Sequence, residues 1–270
     1  MTTLTVPEHR LRWAFADGWT IARRGIAHWA RQPAQVAFGV IFPIVMVLMF
    51  AYLFGGAMTV PGGGSYREFL LPGMFAMIMV FGVGETVTAV TADLAKGVTD
   101  RFRSMPMAES AMLTGRCLAD LLYSAFVLVV VLLFGLLVGW QPHGGAGRTL
   151  LALGLLMLLR FALVWVGIYL GLVLSGPEAL PVVQTVEFPL GFLANLFVAP
   201  ATMPAVLGVV ADWNPLSSTV SAARELFGNP GWGGESWIAQ HAVLMAVVWP
   251  LALVAIFLPL SLRRYRRLDR

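Results

Sequence analysis

The chain has 270 residues, of which 59% are hydrophobic and only 12% charged, and its formal net charge is +4. Soluble domains are nearer half apolar and a quarter charged, so this composition excludes an ordinary water-soluble globule and points to an integral membrane protein. Nucleic-acid binding is excluded too, because the arginines gather at the edges of apolar runs and no polar domain carries them, and the single Cys117 leaves no internal disulfide or multi-cysteine metal site.

Residues 1–7 read as disordered, and no cleavable signal is visible in the charged first thirty residues. Over 8–31, Trp13, Trp19 and Trp29 interleave with Arg10, Arg12, Arg23, Arg24 and Arg31. That mixture predicts a helix lying in the headgroup layer, rings down and guanidinium groups up. The competing reading is a solvated tail, although disordered tails seldom carry three tryptophans.

Apolar runs at 35–54, 69–91, 118–140, 150–174 and 238–262 each meet the length of about 20 residues that a hydrocarbon core requires. A weaker run at 182–198 is interrupted by Glu187, Pro189 and Asn195. The region 199–236 is too broken by prolines to span and too apolar to be dissolved. It reads as short helices that dip into the membrane and return, buried against protein. Fourteen of the eighteen Lys and Arg fall in the N-terminal segment, the 93–116 loop and the tail. The positive-inside rule then puts both termini and that loop in the cytoplasm, which needs six spans and so retains the weak one. The expected architecture is an all-α integral membrane protein, one domain over 1–270 with a six-span bundle at 35–262.

The 93–116 loop is the longest polar interruption. Val98, Phe102 and Met105 recur at i, i+4 and i+7 on one face of a short helix, with Lys96, Asp100, Arg101 and Arg103 mostly off that stripe and Pro106 as its stop. Such a helix docks on something, either the lipid surface or a soluble partner. Lys96 is the only lysine and stands between Ala95 and Gly97, so the chain has no Gly-Lys-Ser/Thr phosphate loop. If ATP drives this protein, another polypeptide binds it.

Arg160, Glu85 and Glu187 are charges that fall well inside the spans. Arg160 lies about ten residues into the fourth span, roughly 15 Å from its outer end, and needs a partner or water there. Glu85 and Glu187 lie on the inner half and are the candidate partners. Functional charges and a structural pair are both open readings, and the carboxylates motivate a proton-coupled secondary carrier as the alternative function. His9, His28, His143 and His241 have no metal-ligand spacing, and no catalytic motif is present, so no catalytic, cofactor or metal residue is expected in this chain.

Two stretches, DLAKGVTDRFRSMPM followed by GRCLADLL, and NPLSSTVSAARELFGNP, resemble the membrane permease of type-2 ABC exporters, specifically the bacterial daunorubicin-resistance branch. The resemblance covers nearly the whole chain. It implies a transport subunit rather than an enzyme, in the bacterial plasma membrane, paired with a second copy or a sibling permease. It implies a separate cytoplasmic P-loop ATPase that binds ATP and Mg, and it makes residues 96–106 the coupling helix. Phe102 would then be the apolar anchor among Asp100, Arg101 and Arg103. It also places re-entrant helices before the last span. There Asn214 fits an N-cap with Pro215 at the first helical position, and Gly228 and Pro230 fit a stop. Arg224 and Glu225 would form an outer gate, or belong to a cap that keeps a dimer interface dry. Apolar spans without a long periplasmic domain favour a hydrophobic or amphipathic drug or a lipid over a polymer.

Overall fold

The computed structural model describes residues 33–55, 60, 63–96, 111–174, 176, 178–234 and 236–267. The expected interfacial helix over 8–31 and the loop residues Val98, Asp100, Arg101, Phe102, Arg103 and Met105 lie outside them. Among the described residues the structure is helical, with no strand. Helix α1 (Pro33–Leu48) runs into a π-helical segment, Met49–Phe54, and is followed by α2 (Tyr66–Ala95), α3 (Ala111–Leu137), α4 (Gly145–Val173) and α5 (Ala179–Phe192). A 3-10 turn (Pro200–Thr202), α6 (Ala205–Trp213), α7 (Pro215–Phe227), α8 (Trp237–Gln240) and α9 (Ala242–Arg267) complete the chain.

Five segments are long and apolar enough to cross a membrane: Val36–Leu53, Tyr66–Ala95, Met112–Leu137, Gly145–Val173 and Ala242–Arg267. The weak run expected at 182–198 becomes α5, which has 14 residues and is therefore about 21 Å long, short of a hydrocarbon core of about 30 Å. It ends at Phe192, and beyond it the carbonyls of Asn195 and Leu196 accept from the Arg224 guanidinium instead of continuing a helical ladder. The region 199–236 does form short helices.

Helix α2 is the axis of the bundle, buried along most of its length and packed against α4, α5, α7 and α3. Gly167 and Gly171 of α4 bring that helix onto α2: a Cβ on either would stand under 3 Å from Thr86 or Val90. Small residues four apart let two membrane helices approach this closely, gaining dispersion contacts where lipid offers no hydrophobic drive. One end of the bundle carries the roots of the 97–110 loop. The tail of α9 reaches the same end, where Tyr265 Oη donates to Met112 Sδ at 3.3 Å and Arg264 Nε to the Leu172 carbonyl at 3.3 Å. The basic tail and the loop therefore share an end, as the charge count predicts, and α5 with the short helices returns the chain to the far end before α9.

Candidate functional site

A chain of polar side chains runs from the loop end into the middle of the bundle. Arg116 of α3 pairs with Asp120 one turn further on, Nη2 to Oδ1 at 3.0 Å, and reaches Asp93 of α2 at 4.0 Å. The Thr86 hydroxyl of α2 donates to Asp120 Oδ2 at 2.7 Å, and Thr86 Oγ1 in turn accepts from Arg160 Nη2 of α4 at 3.0 Å. Arg160 Nε donates to Ser124 Oγ of α3 at 2.7 Å. Three helices thus meet through side chains at one guanidinium that is 1% exposed. Its Nη1 has no hydrogen-bond partner.

The backbone of α2 makes room for these charges. A Cβ at Gly82 would stand 2.6 Å from Arg160 Cζ, so only glycine leaves the guanidinium its place. Two residues on, the Gly84 amide donates to Glu187 Oε1 of α5 at 2.9 Å. Arg160 makes no ion pair with Glu85 or Glu187 among the described residues. Its partners are hydroxyls, with Asp120 one hydroxyl away. A guanidinium in low dielectric keeps its charge through such charge-assisted bonds and a nearby carboxylate. Glu187 is buried against α2, whereas Glu85 is exposed on the flank of α2.

A second buried arginine organises the far end. Arg224 of α7 donates from Nε to the Phe69 carbonyl at 3.0 Å, from Nη1 to Asn195 at 3.0 Å and from Nη2 to Leu196 at 2.9 Å. Its Cζ lies 3.8 Å over the Phe69 ring, a cation–π contact strengthened by desolvation. Asn214 caps α7 as expected, with Oδ1 accepting from the Leu216 amide at 2.9 Å, while its Nδ2 donates to the Leu190 carbonyl of α5 at 2.8 Å. Pro215 is the first residue of α7, and Gly228 closes the helix at φ 70°, a left-handed position that favours glycine. The Phe227 carbonyl accepts from the amides of His143 and Gly144, and Asn229 bridges Trp140 Nε1 and the Gln141 carbonyl. Trp140, Phe75 and Phe227 pack edge to face around this junction. Glu225 points away and is exposed.

Of the residues named from sequence, Lys96 is the exposed C-cap of α2. Arg160 and Glu187 flank Gly82–Gly84 from opposite elements, and Asn214 and Arg224 belong to the far-end junction. Sequence reasoning missed Thr86 and Ser124 as partners of Arg160, Asp120 as the carboxylate behind Thr86, and Asn195 and Asn229 as junction residues. Each is a lone small polar residue in or beside an apolar run, and that was the available signal. Among the described residues no cluster of His, Cys, Asp or Glu is placed to hold a metal.

Apolar helices of spanning length, threaded by a buried chain of charges, define a multi-pass helical membrane protein. The chain belongs to the ABC-2 type transporter family, whose model matches residues 17–227. It is 36% identical over 235 residues to the daunorubicin resistance ABC transporter permease protein DrrB1 of Streptomyces coeruleorubidus, covering 87% of this chain and 80% of that protein. It is also 23% identical over 208 residues to the putative transport permease ycf38 of Porphyra purpurea, covering 75% and 70% respectively. A second ycf38 protein, from Pyropia yezoensis, matches to the same extent.

Proposed function

We propose that this chain is the membrane subunit of an exporter that moves hydrophobic or amphipathic drugs, or lipids, out of a bacterial cell on ATP hydrolysed by a separate P-loop subunit. The observation that carries the reading is the polar chain that ties both roots of the 97–110 loop, Asp93 on α2 and Arg116 on α3, to Arg160 at the centre of the bundle. A push on the loop changes the relative positions of α2 and α3, and the bonds of Thr86, Asp120 and Ser124 pass that change to α4. ATP acts on such a switch only by binding one of its states more tightly than the other. The drug class is carried over from the name of the Streptomyces relative.

In this reading the chain is one permease domain with both termini and the loop in the cytoplasm. Helix α5 is a short sixth crossing, α6 and α7 are a re-entrant pair at the outer face, and residues 8–31 lie on the inner headgroups. Residues 96–106 dock in the ATPase with Phe102 as anchor and Asp100, Arg101 and Arg103 around it, Val98 and Met105 completing the apolar stripe. A second copy or a sibling permease completes the complex. At the outer face, Arg224 acts as the fastener of a cap rather than as a gate. The carrier alternative loses support because Arg160 bonds hydroxyls instead of the carboxylates it would have to titrate with.

Mild-detergent purification from native membranes tests the reading. A P-loop ATPase is expected to co-purify with the wild type, while Phe102→Ala/Arg103→Ala reaches the membrane but loses both the ATPase and efflux. Normal efflux by that variant sinks the coupling assignment, and no ATPase under several mild detergents sinks the exporter.

A further inference from the structure

Helix α9 lies on the outside of the bundle. Only 17% of its apolar stretch is buried, against 83% for α2. Its two sides differ. Val254, Phe257, Leu258 and Tyr265 pack into the cluster formed with α3 and α4, and Ser261 Oγ donates to the Trp165 carbonyl. Leu244, Val248, Leu251 and Ile256 are exposed on the other side. Just before this outward stripe Trp237 stacks on His241, and just after it come Arg263, Arg266 and Arg267, all exposed. From Leu244 to Arg263 the helix rises roughly 29 Å, close to the hydrocarbon thickness of about 30 Å. An indole at one end and arginines at the other match the two headgroup layers. The stripe therefore faces lipid tails, and the arginines reach the headgroups at the loop end.

The last turn of α9 is fixed in rotation by its neighbours: Arg264 Nε donates to the Leu172 carbonyl and Tyr265 Oη to Met112 Sδ. Arg263 then stands two turns beyond Ile256 on the outward side, and Arg267 one turn further on. Like charges four residues apart on a helix repel, and neither arginine makes an ion pair among the described residues. An anion set between the two guanidiniums turns that repulsion into attraction. A lipid phosphate is the anion delivered there, because its acyl chains run along Ile256 and Leu251 while its headgroup stands level with the arginines.

We infer that Arg263 and Arg267, with the outward stripe of α9, form a binding site for an anionic phospholipid of the leaflet at the loop end. The phosphate lies between the guanidiniums and the chains lie on the stripe. Net charge selects the lipid: a zwitterionic headgroup brings a cation of its own up to the two arginines, and an anionic one does not. A basic residue at a membrane surface is worth about fivefold in affinity for anionic lipid, and two on adjacent turns add to one another. The same turn braces Leu172 of α4 and Met112 of α3, so a lipid held there also steadies the inner end of the bundle.

The test titrates the full-length permease, delipidated in a mild non-ionic detergent, with phosphatidylglycerol and with phosphatidylcholine of the same acyl chains, and counts bound lipids by native mass spectrometry. The first phosphatidylglycerol is expected to bind at least about tenfold more tightly than the first phosphatidylcholine. Arg263→Gln/Arg267→Gln lowers that preference by at least about fivefold, and Arg263→Lys/Arg267→Lys keeps most of it. Phosphatidylglycerol also raises the melting temperature of the wild type more than that of the glutamine variant. A wild type without the preference overturns the proposal, and that comparison decides the matter even if the glutamine variant does not fold. A folded glutamine variant with the full preference overturns it too, because other basic residues then hold the lipid. Displacement of phosphatidylglycerol by glycerol 1-phosphate at equal concentration overturns the lipid assignment, since a free phosphate then suffices without the stripe. A glutamine variant that keeps the lipid but loses a co-purifying ATPase overturns it as well, and makes the tail a protein contact.

Discussion

Two buried arginines, equally hidden from solvent, are held in opposite ways. Arg224 gives all three of its described bonds to main-chain carbonyls and lies on an aromatic face. Arg160 gives its bonds to the rotatable hydroxyls of Thr86 and Ser124 and keeps one nitrogen unbonded. Carbonyls of fixed backbone leave a guanidinium one position, whereas hydroxyls on two neighbouring helices leave it alternatives. The far end of the bundle is therefore built as a rigid junction, and its middle as a contact that helices can remake when they slide.

The comparison breaks or sharpens under substitution. The largest effect is expected at Arg224→Lys. An ammonium cannot address three carbonyls in a fork, so orphaned acceptors cost about 3 kcal/mol or more, seen as an early thermal melt and loss of monodisperse protein. A normal melt would mean the junction does not depend on the fork. Arg160→Met comes next. An apolar side chain of similar length leaves Asp120 its Arg116 partner, so stability should stay within about 1 kcal/mol, while transport in the complex with its ATPase falls at least about tenfold. If Arg160→Met instead melts as early as Arg224→Lys, the two arginines are alike and the switch reading of Arg160 fails. The smallest effect is at Asn214→Ala. Losing this cap should lower stability by about 1 kcal/mol and leave the charge-linked middle untouched, so a transport defect larger than the stability loss would tie the junction to the mechanism.

What could be read from sequence was what is local. Asn214, Pro215 and Gly228 announce the start and stop of α7 within a few residues, and the structure uses each as expected. The long apolar helices follow from composition along the chain. Pairings between helices were not legible. Thr86, Ser124 and Asp120 are ordinary small polar residues until the glycines at 82, 167 and 171 fix how closely α2 and α4 approach and which of their faces meet. The length of α5 was misjudged for a similar reason. Just past its end the carbonyls of Asn195 and Leu196 are taken by Arg224, 29 and 28 residues further on, and no window centred on α5 contains that contact.

The Arg224 fork also bears on how the protein is made. Its acceptor on Phe69 is synthesised 155 residues before the guanidinium that satisfies it, and the Trp140 indole precedes Asn229 by 89 residues. At ordinary translation rates the first of these intervals lasts roughly 10 to 30 seconds. By its end the first four helices have been made with their far end uncapped. The insertion machinery must shelter an incomplete bundle until α7 arrives, and a truncation just before Arg224 should leave a chain that inserts but never closes.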